Sequence, residues 1–401
     1  MHLQTIHWIA GSILALAWFS RIAEAAIGMR TIADISQPEW DRKPATPNGE
    51  PRVSIIVPAR NEADNIRATL TQLLALDYSN YEVIAVNDRS TDETGKKMDE
   101  VVANLIASPS TSPEPQRLLK VIHISELPPG WLGKTHAMWT AGKLATGDWL
   151  LFTDADVLFK SDTLRRAVAY AEAERADHVV LFPRMIMKRV GERMMIAFFQ
   201  ALFVFGHRPW KVADPKARDH MGVGAFNMVR RPAYDAVGTY LALRMEVVDD
   251  MKLGKVVKNA GFAQRNVFGE DLISLHWAKG AFGIVNNLTK NFFAVLSFQW
   301  PRTVASIIGL GFLNLGPFFG VVLAHGWARI PYAIALVSLF GIYYGMSKMS
   351  AVPAYYFFLH PVSATLIMYT VLRSMILTLI NGGIEWRGTK YPLEELRKGM
   401  V

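Results

Sequence analysis

The chain has 401 residues, 51% of them hydrophobic, with 43 Lys and Arg against 35 Asp and Glu and no Cys. The absence of Cys excludes a disulfide framework, a thiolate metal site and a cysteine nucleophile. The formal charge of +8 is spread along the sequence, which argues against a nucleic-acid surface, and a mean hydropathy of +0.17 points to membrane segments.

The first element is an apolar stretch from Leu3 to Gly28, almost uninterrupted between Ile6 and Phe19. No small-residue cleavage pattern follows it, so residues 1–28 are expected to form a retained transmembrane signal-anchor. Arg30, Arg42, Lys43 and Arg52 come next and place the downstream side in the cytoplasm. Residues 29–52, rich in Pro and charge from Gln37 onward, read as a linker.

Strand and helix patterns alternate over residues 53–275. Val53 to Pro58 reads as a strand, and Asn61 is expected to cap a helix with Ile66, Leu70, Leu73 and Leu74 on one face. Tyr81 to Val86 is a second strand ending at Asn87-Asp88, and Ser90 with Glu93 forms a capping-box pattern for the next helix. Further strands are expected at Val121 to His123, Trp149 to Thr153 and His178 to Phe182. This alternation predicts an α/β domain with a doubly wound, mostly parallel sheet.

Met194 to Phe205 is an apolar run too short to span a bilayer, so it reads as a core or interfacial helix and as the segment best suited to meet a lipid. Residues 276–302 are expected to form an interfacial connection, and 303–381 the C-terminal transmembrane helices. The apolar stretches there are Val304 to Ala324, Ile330 to Gly345 and Ala351 to Ile380. Pro353, His360 and Pro361 interrupt the last, which suggests a short re-entrant piece before the final helix. Residues 382–401 form a basic tail. Its Arg387, Lys390, Arg397 and Lys398 favour the cytoplasm, whereas three crossings after a cytoplasmic domain would put it outside. Either one segment fails to cross or the charge rule misleads.

Chemistry concentrates where strands end. Asp154-Ala155-Asp156 follows the buried-strand pattern Trp149 to Thr153. In open α/β sheets the ligand crevice lies outside the carboxyl ends of the strands. Two carboxylates one residue apart there can hold a hard divalent cation, which in turn can hold a diphosphate. The plainer reading of each motif is local: a strand-end turn at Asp154 or Asp88, a helix-start charge at Glu62 or at Asp249 and Asp250. Their joint order along the chain favours a nucleotide pocket.

That order carries a resemblance. Ile55-Ile56-Val57-Pro58-Ala59-Arg60-Asn61-Glu62, Val86-Asn87-Asp88-Arg89-Ser90-Thr91-Asp92, Gly133-Lys134-Thr135-His136-Ala137, Asp154-Ala155-Asp156 and Val248-Asp249-Asp250-Met251-Lys252-Leu253 resemble the successive motifs of a family 2 glycosyltransferase of GT-A fold. Asp249 stands where that family more usually has Glu. Together with the flanking apolar helices, Trp131-Leu132-Gly133-Lys134 and Trp386-Arg387-Gly388-x-x-Tyr391 are most similar to the hopanoid-associated and the carotenoid or ceramide branch.

The resemblance implies a membrane-bound, inverting transfer of one sugar from a nucleotide-diphosphate sugar, UDP-linked, to a lipid hydroxyl, with Mg²⁺ or Mn²⁺ as cofactor. It also implies a multi-pass protein of the inner or plasma membrane with its catalytic domain in the cytoplasm. Pro58, Ala59, Glu62 and Asp88 would hold the nucleoside, Lys134 would sit near the phosphates, and Asp156 assisted by Asp154 would bind the metal. Asp250, beside Asp249, would be the general base, and Gly224, Ala225 and Phe226 would lie on the acceptor side. A processive polysaccharide synthase is the alternative. It is disfavoured because the Gln-x-x-Arg-Trp of such enzymes is missing around His276-Trp277, and Gln299-Trp300-Pro301-Arg302 has the wrong order. A non-catalytic nucleotide-binding scaffold has no need of Asp88, Asp154, Asp156 and Asp250 together. A channel is disfavoured by the lack of intramembrane ionisable pairs.

Overall fold

The computed structural model describes residues 2–44, 46, 49–107 and 118–401, so positions 45, 47 and 48 of the expected linker lie outside the described residues. The chain divides into two compact units, one formed by residues 32–186, 211–276 and 385–401, the other by residues 1–31, 187–210 and 277–384.

The first unit holds the strands β1 (Val53–Ala59), β2 (Tyr81–Asp88), β3 (Leu118–Ile124), β4 (Trp149–Phe152), β5 (Leu158–Phe159), β6 (His178–Leu181), β7 (Arg184–Met185), β8 (Asn227–Arg230), β9 (Gln264–Val267) and β10 (Ile273–Leu275). Seven of them form a sheet in the order β3-β2-β1-β4-β8-β6-β9, and β5-β10-β7 form a smaller one. Neighbours from β3 to β4 run parallel, as do β6 and β9, while β8 runs antiparallel to both β4 and β6. The sheet is therefore mixed with a mostly parallel core. Strands covered on both faces need apolar residues at every position. In β1, Val53, Ile55 and Val57 pack into one layer with Ile66, Leu70 and Leu73 of the helix Ile66–Leu74. Ile56 faces the opposite layer with Ala137, Met138 and Ala141 of the helix Gly133–Leu144.

Two expected caps are placed otherwise. Asn61 takes a left-handed backbone (φ 55°) and its side-chain oxygen accepts the Thr91 N–H at 2.8 Å, so it ties two loops together five residues before its helix begins. The Ser90 hydroxyl accepts the Asn61 N–H at 3.0 Å, and it is Asp92 that receives the Thr94 N–H at the start of the helix Thr94–Ala107. Side chains that compete for local N–H groups were free to choose partners across the two loops, which lie side by side because β1 and β2 end together, Ala59 opposite Asn87.

The second unit is helical. Among the described residues four segments, Leu3–Thr31, Trp300–Leu323, Gly326–Ser347 and Ala354–Ile380, are long and apolar enough to cross a bilayer. Many of their apolar side chains are exposed, Ile308 at 67% and Val337 at 70% among them. Leu14 lies against Gly316 and the Trp18 indole N–H donates to the Leu313 carbonyl at 3.0 Å, so His2–Gly28 and Trp300–Leu323 run antiparallel. Gly11 meets Pro331 while Gly341 meets Ile22, so Arg329–Ser347 runs parallel to the first helix. Gly311 meets Met368 and Phe318 stacks on His360, so His360–Ile380 is also antiparallel to Trp300–Leu323. The last two long helices thus run in the same direction, joined through the short 3₁₀ segment Ala354–Leu359. The Met194 to Phe205 run belongs to the helix Val190–Gly206 of this unit, whose Met194 carbonyl accepts from the Ser363 hydroxyl at 3.2 Å.

Candidate active site

Strand ends and one helix start bring the predicted residues together. Pro58 and Ala59 close β1, and Glu62 follows in the loop, its N–H donating to the Thr94 hydroxyl at 2.8 Å. Asp88 closes β2, almost fully buried, and takes a two-point contact from the next side chain: Arg89 Nε at 2.7 Å and Nη2 at 3.1 Å. Gly133, at the first position of its helix, packs so closely against this pair that a Cβ there would force the Asp88 and Arg89 side chains to shift.

Lys134 is the centre of the acidic group. Its Nζ lies 2.8 Å from Asp154 Oδ1 and 3.6 Å from Asp249 Oδ1. Burial alone would lower the pKa of this ammonium, but the charges of Asp154, Asp249 and Asp250 outweigh it and hold the group well above its ordinary value. Asp249 and Asp250 occupy the first turn of the helix Asp249–Asn259, where the helix dipole favours carboxylates. Asp249 is buried. Asp250 accepts the Met251 N–H at 2.8 Å and the Gly224 N–H at 2.9 Å. Burial raises the Asp250 pKa above the usual carboxylate value, opposed by Lys134 and these N–H groups and reinforced by Asp154.

Gly224 bridges the group. Its carbonyl accepts the Asp154 N–H at 3.0 Å, and a Cβ on it would lie 2.5 Å from Asp154 Oδ2. The expected acceptor-side trio separates here: Ala225 and Phe226 are 2% and 0% exposed within the apolar core, and only Gly224 meets the carboxylates.

At Asp156, burial first, then the charges of Asp154 and Glu62, push the carboxyl up to about 7, with Arg387 pulling in the other direction. Among the described residues no group of three or more His, Cys, Asp or Glu is arranged to hold a metal. The donor set that Asp154 and Asp156 present is two hard carboxylates that repel each other, with Arg387 offsetting only part of the negative charge, and such a set would suit a hard divalent cation.

Residues that the strand-end motifs missed also meet these loops. Arg387 pairs with Glu62, Arg60 donates to the Thr389 hydroxyl at 3.1 Å, and the Gly133 N–H donates to the Tyr391 hydroxyl at 3.1 Å. The available signal was the Trp386-Arg387-Gly388-x-x-Tyr391 pattern, and Thr389 and Tyr391, two residues apart in the strand Thr389–Pro392, share one face of it.

Residues 54–238 match the family model described as Glycosyl transferase family 2. The 4,4'-diaponeurosporenoate glycosyltransferase of Staphylococcus haemolyticus is 21% identical over 261 residues, covering 64% of this chain and 65% of that protein. The PGL/p-HBAD biosynthesis glycosyltransferase of Mycobacterium bovis is 35% identical over 150 residues, 37% of this chain and 52% of the relative. The chain thus spans between half and two thirds of the length of these curated relatives. The mannosyltransferase PcManGT from Pyrobaculum calidifontis, solved in complex with GDP-Man and Mn²⁺, aligns with a TM-score of 0.53 at 19% identity over 94% of this chain and 99% of that one, a likeness of fold.

Proposed function

From the match of residues 54–238 to glycosyl transferase family 2, we propose that the chain moves a single sugar, with inversion, from a nucleotide-diphosphate sugar to the hydroxyl of a lipid. The observation that carries the reading is the meeting of Lys134, Asp154, Asp249 and Asp250 beside the ends of β1, β2 and β4, in a chain that also carries four apolar helices of bilayer length. The names of the two relatives, a carotenoid-acid glycosyltransferase and one of PGL biosynthesis, agree with a lipid acceptor.

Glu62 and Asp88, with the Pro58-Ala59 backbone, would hold the nucleoside. Lys134 would offset the negative charge that grows on the departing diphosphate. Asp156 and Asp154 would hold Mg²⁺ or Mn²⁺, which when bound supplies Lewis-acid stabilisation of the same leaving group. An acceptor hydroxyl is a poor nucleophile, and Asp250 would take its proton as the bond to the anomeric carbon forms. The hydrogen bonds from Gly224 and Met251 fix that carboxylate, and its partial exposure supports it over the buried Asp249. One base and no enzyme nucleophile means one displacement, hence inversion.

Helix direction supports one membrane arrangement. Arg329–Ser347 and His360–Ile380 run the same way and both oppose Trp300–Leu323, so residues 277–384 would leave and return once in net. The tail from residue 385 belongs to the unit of the sheet, which agrees with an even number of crossings. Sheet and basic tail would share the cytoplasmic face, with one of the two co-directed segments failing to cross.

Purified protein incubated with a panel of UDP- and GDP-linked sugars and a lipid extract tests the reading. A single-sugar glycolipid product is expected, and polymeric product or hydrolysis alone would sink it.

A further inference from the structure

The C-terminal segment folds back as a two-stranded hairpin, β11 (Gly383–Trp386) and β12 (Thr389–Pro392), separate from both sheets. Arg387 and Gly388 make its turn, both left-handed at φ 48° and 74°. An arginine held in that backbone region is uncommon, and the turn presents its guanidinium at the tip of the hairpin.

That guanidinium donates to the Arg60 carbonyl and to Glu62 Oε1, although its side chain is 42% exposed. It is also close enough to Asp156 to favour the charged form of that carboxylate. Thr389 accepts from Arg60, itself 4.0 Å from Asp88. Tyr391, 5% exposed, accepts the Gly133 N–H and bonds to Arg89, which clasps Asp88. One face of the hairpin therefore touches each of the three loops assigned above to nucleoside and phosphate. The helix Leu393–Lys398 beyond it is secured in turn, with Leu396 fully buried, Gly399 against Met245 and the Val401 carbonyl 2.6 Å from Lys252 Nζ.

We propose that this hairpin completes the donor site, with Arg387 binding the diphosphate and Tyr391 positioning the start of the Gly133–Leu144 helix beside it. The proposal rests on the donor reading above. Arg387 now compensates an acidic pocket, Glu62 with Asp156 nearby. A donor entering with a divalent cation brings positive charge to the carboxylates and two phosphates to the guanidinium. The exchange conserves charge, and a planar guanidinium matches phosphate oxygens bidentately. Tyr391 acts one step away: its hydroxyl takes up an N–H at the first position of a helix whose second residue is Lys134.

The test is calorimetric binding of UDP and GDP with Mn²⁺, and of uridine and guanosine, to the full-length protein in nanodiscs. For the nucleotide that the wild type prefers, Arg387→Gln is expected to weaken diphosphate binding ~10- to 100-fold, the scale of a charged hydrogen bond, and nucleoside binding less than about twofold. Arg387→Lys should recover part of the loss. Tyr391→Phe should keep nucleoside affinity while lowering diphosphate affinity and turnover together. Equal diphosphate binding by wild type and Arg387→Gln overturns the arginine assignment alone. Parallel loss of nucleoside and diphosphate overturns it too, since Arg387 would then act only through Glu62. A wild type that binds neither diphosphate overturns the donor reading and the proposal with it.

Discussion

The Gly224 N–H donates to Asp250 Oδ2 at 2.9 Å, tying the loop before β8 to the first turn of the Asp249–Asn259 helix. The same glycine accepts the Asp154 N–H, so one residue holds the carboxylate proposed as base and the backbone of a residue proposed as metal ligand. The Asp154 carboxylate itself is held from the other side, by Lys134 at 2.8 Å. A base and a leaving-group clamp on opposite sides of a sugar need such positioning.

A base that acts only in the transition state affects turnover more than donor affinity. Asp250→Asn is expected to lower kcat by about 10²-fold or more with nucleotide-sugar affinity nearly unchanged. Asp249→Asn should have a smaller effect on kcat, since Asp249 is buried and meets Lys134. If the pair only stabilised a helix start, either change would cost about 1 kcal/mol of stability and leave turnover near normal. Steady-state rates and donor titrations of both variants decide.

The metal assignment predicts that Asp156→Asn abolishes transfer and the metal-dependent part of nucleotide binding, with the circular dichroism spectrum unchanged. Removing one of the two carboxylates relieves their repulsion, so thermal stability without metal should hold or rise. Donor binding in the wild type that is indifferent to a chelator would exclude the metal role.

The chain has no Cys, so single cysteines report topology without background. Thr71→Cys and Lys390→Cys should react with an impermeant maleimide only after cells are opened, while His325→Cys, in the turn between two long helices, should react in intact cells. Labelling of Thr71→Cys and Lys390→Cys from opposite sides would refute an even number of crossings.

Glu82 predicts a pH dependence away from the site. It is fully buried on β2, and burial alone would raise its pKa. The Thr146 N–H, the hydroxyls of Ser54 and Thr146, and Lys120 outweigh that and pull it from 4.5 to about 2. A depressed folded pKa means the unfolded chain binds the proton first. The contribution of Glu82 is therefore complete above about pH 4.5 and is lost as pH falls toward 2. Glu82→Gln should destabilise by about 2 kcal/mol near neutrality, with the gap closing across that acid range in thermal melts. A gap that stays constant to pH 3 would show the charge is immaterial.

Much of the donor side could be read from the chain because it is local. Apolar runs such as Val53 to Pro58 and Trp149 to Phe152 dictate buried strands, and a parallel sheet must collect their carboxyl ends at one rim. Glu62, Asp88 and Asp154, each just past such a run, were bound to arrive there together. The apolar helices were equally plain, since length and hydropathy are summed over neighbouring residues. What lay outside the sequence was every choice between partners far apart along it. Asn61 and Ser90 had cap-forming side chains, but the joint end of β1 and β2 offered them each other's loops. Phe226 stands in a Gly-rich loop, yet the antiparallel insertion of β8 turns it into the core. Composition marked three C-terminal spans, but only packing showed two of them running the same way. Arg387 reaches Glu62 across 325 positions, a contact that no local periodicity encodes, because chain closure over that distance is decided by the whole fold.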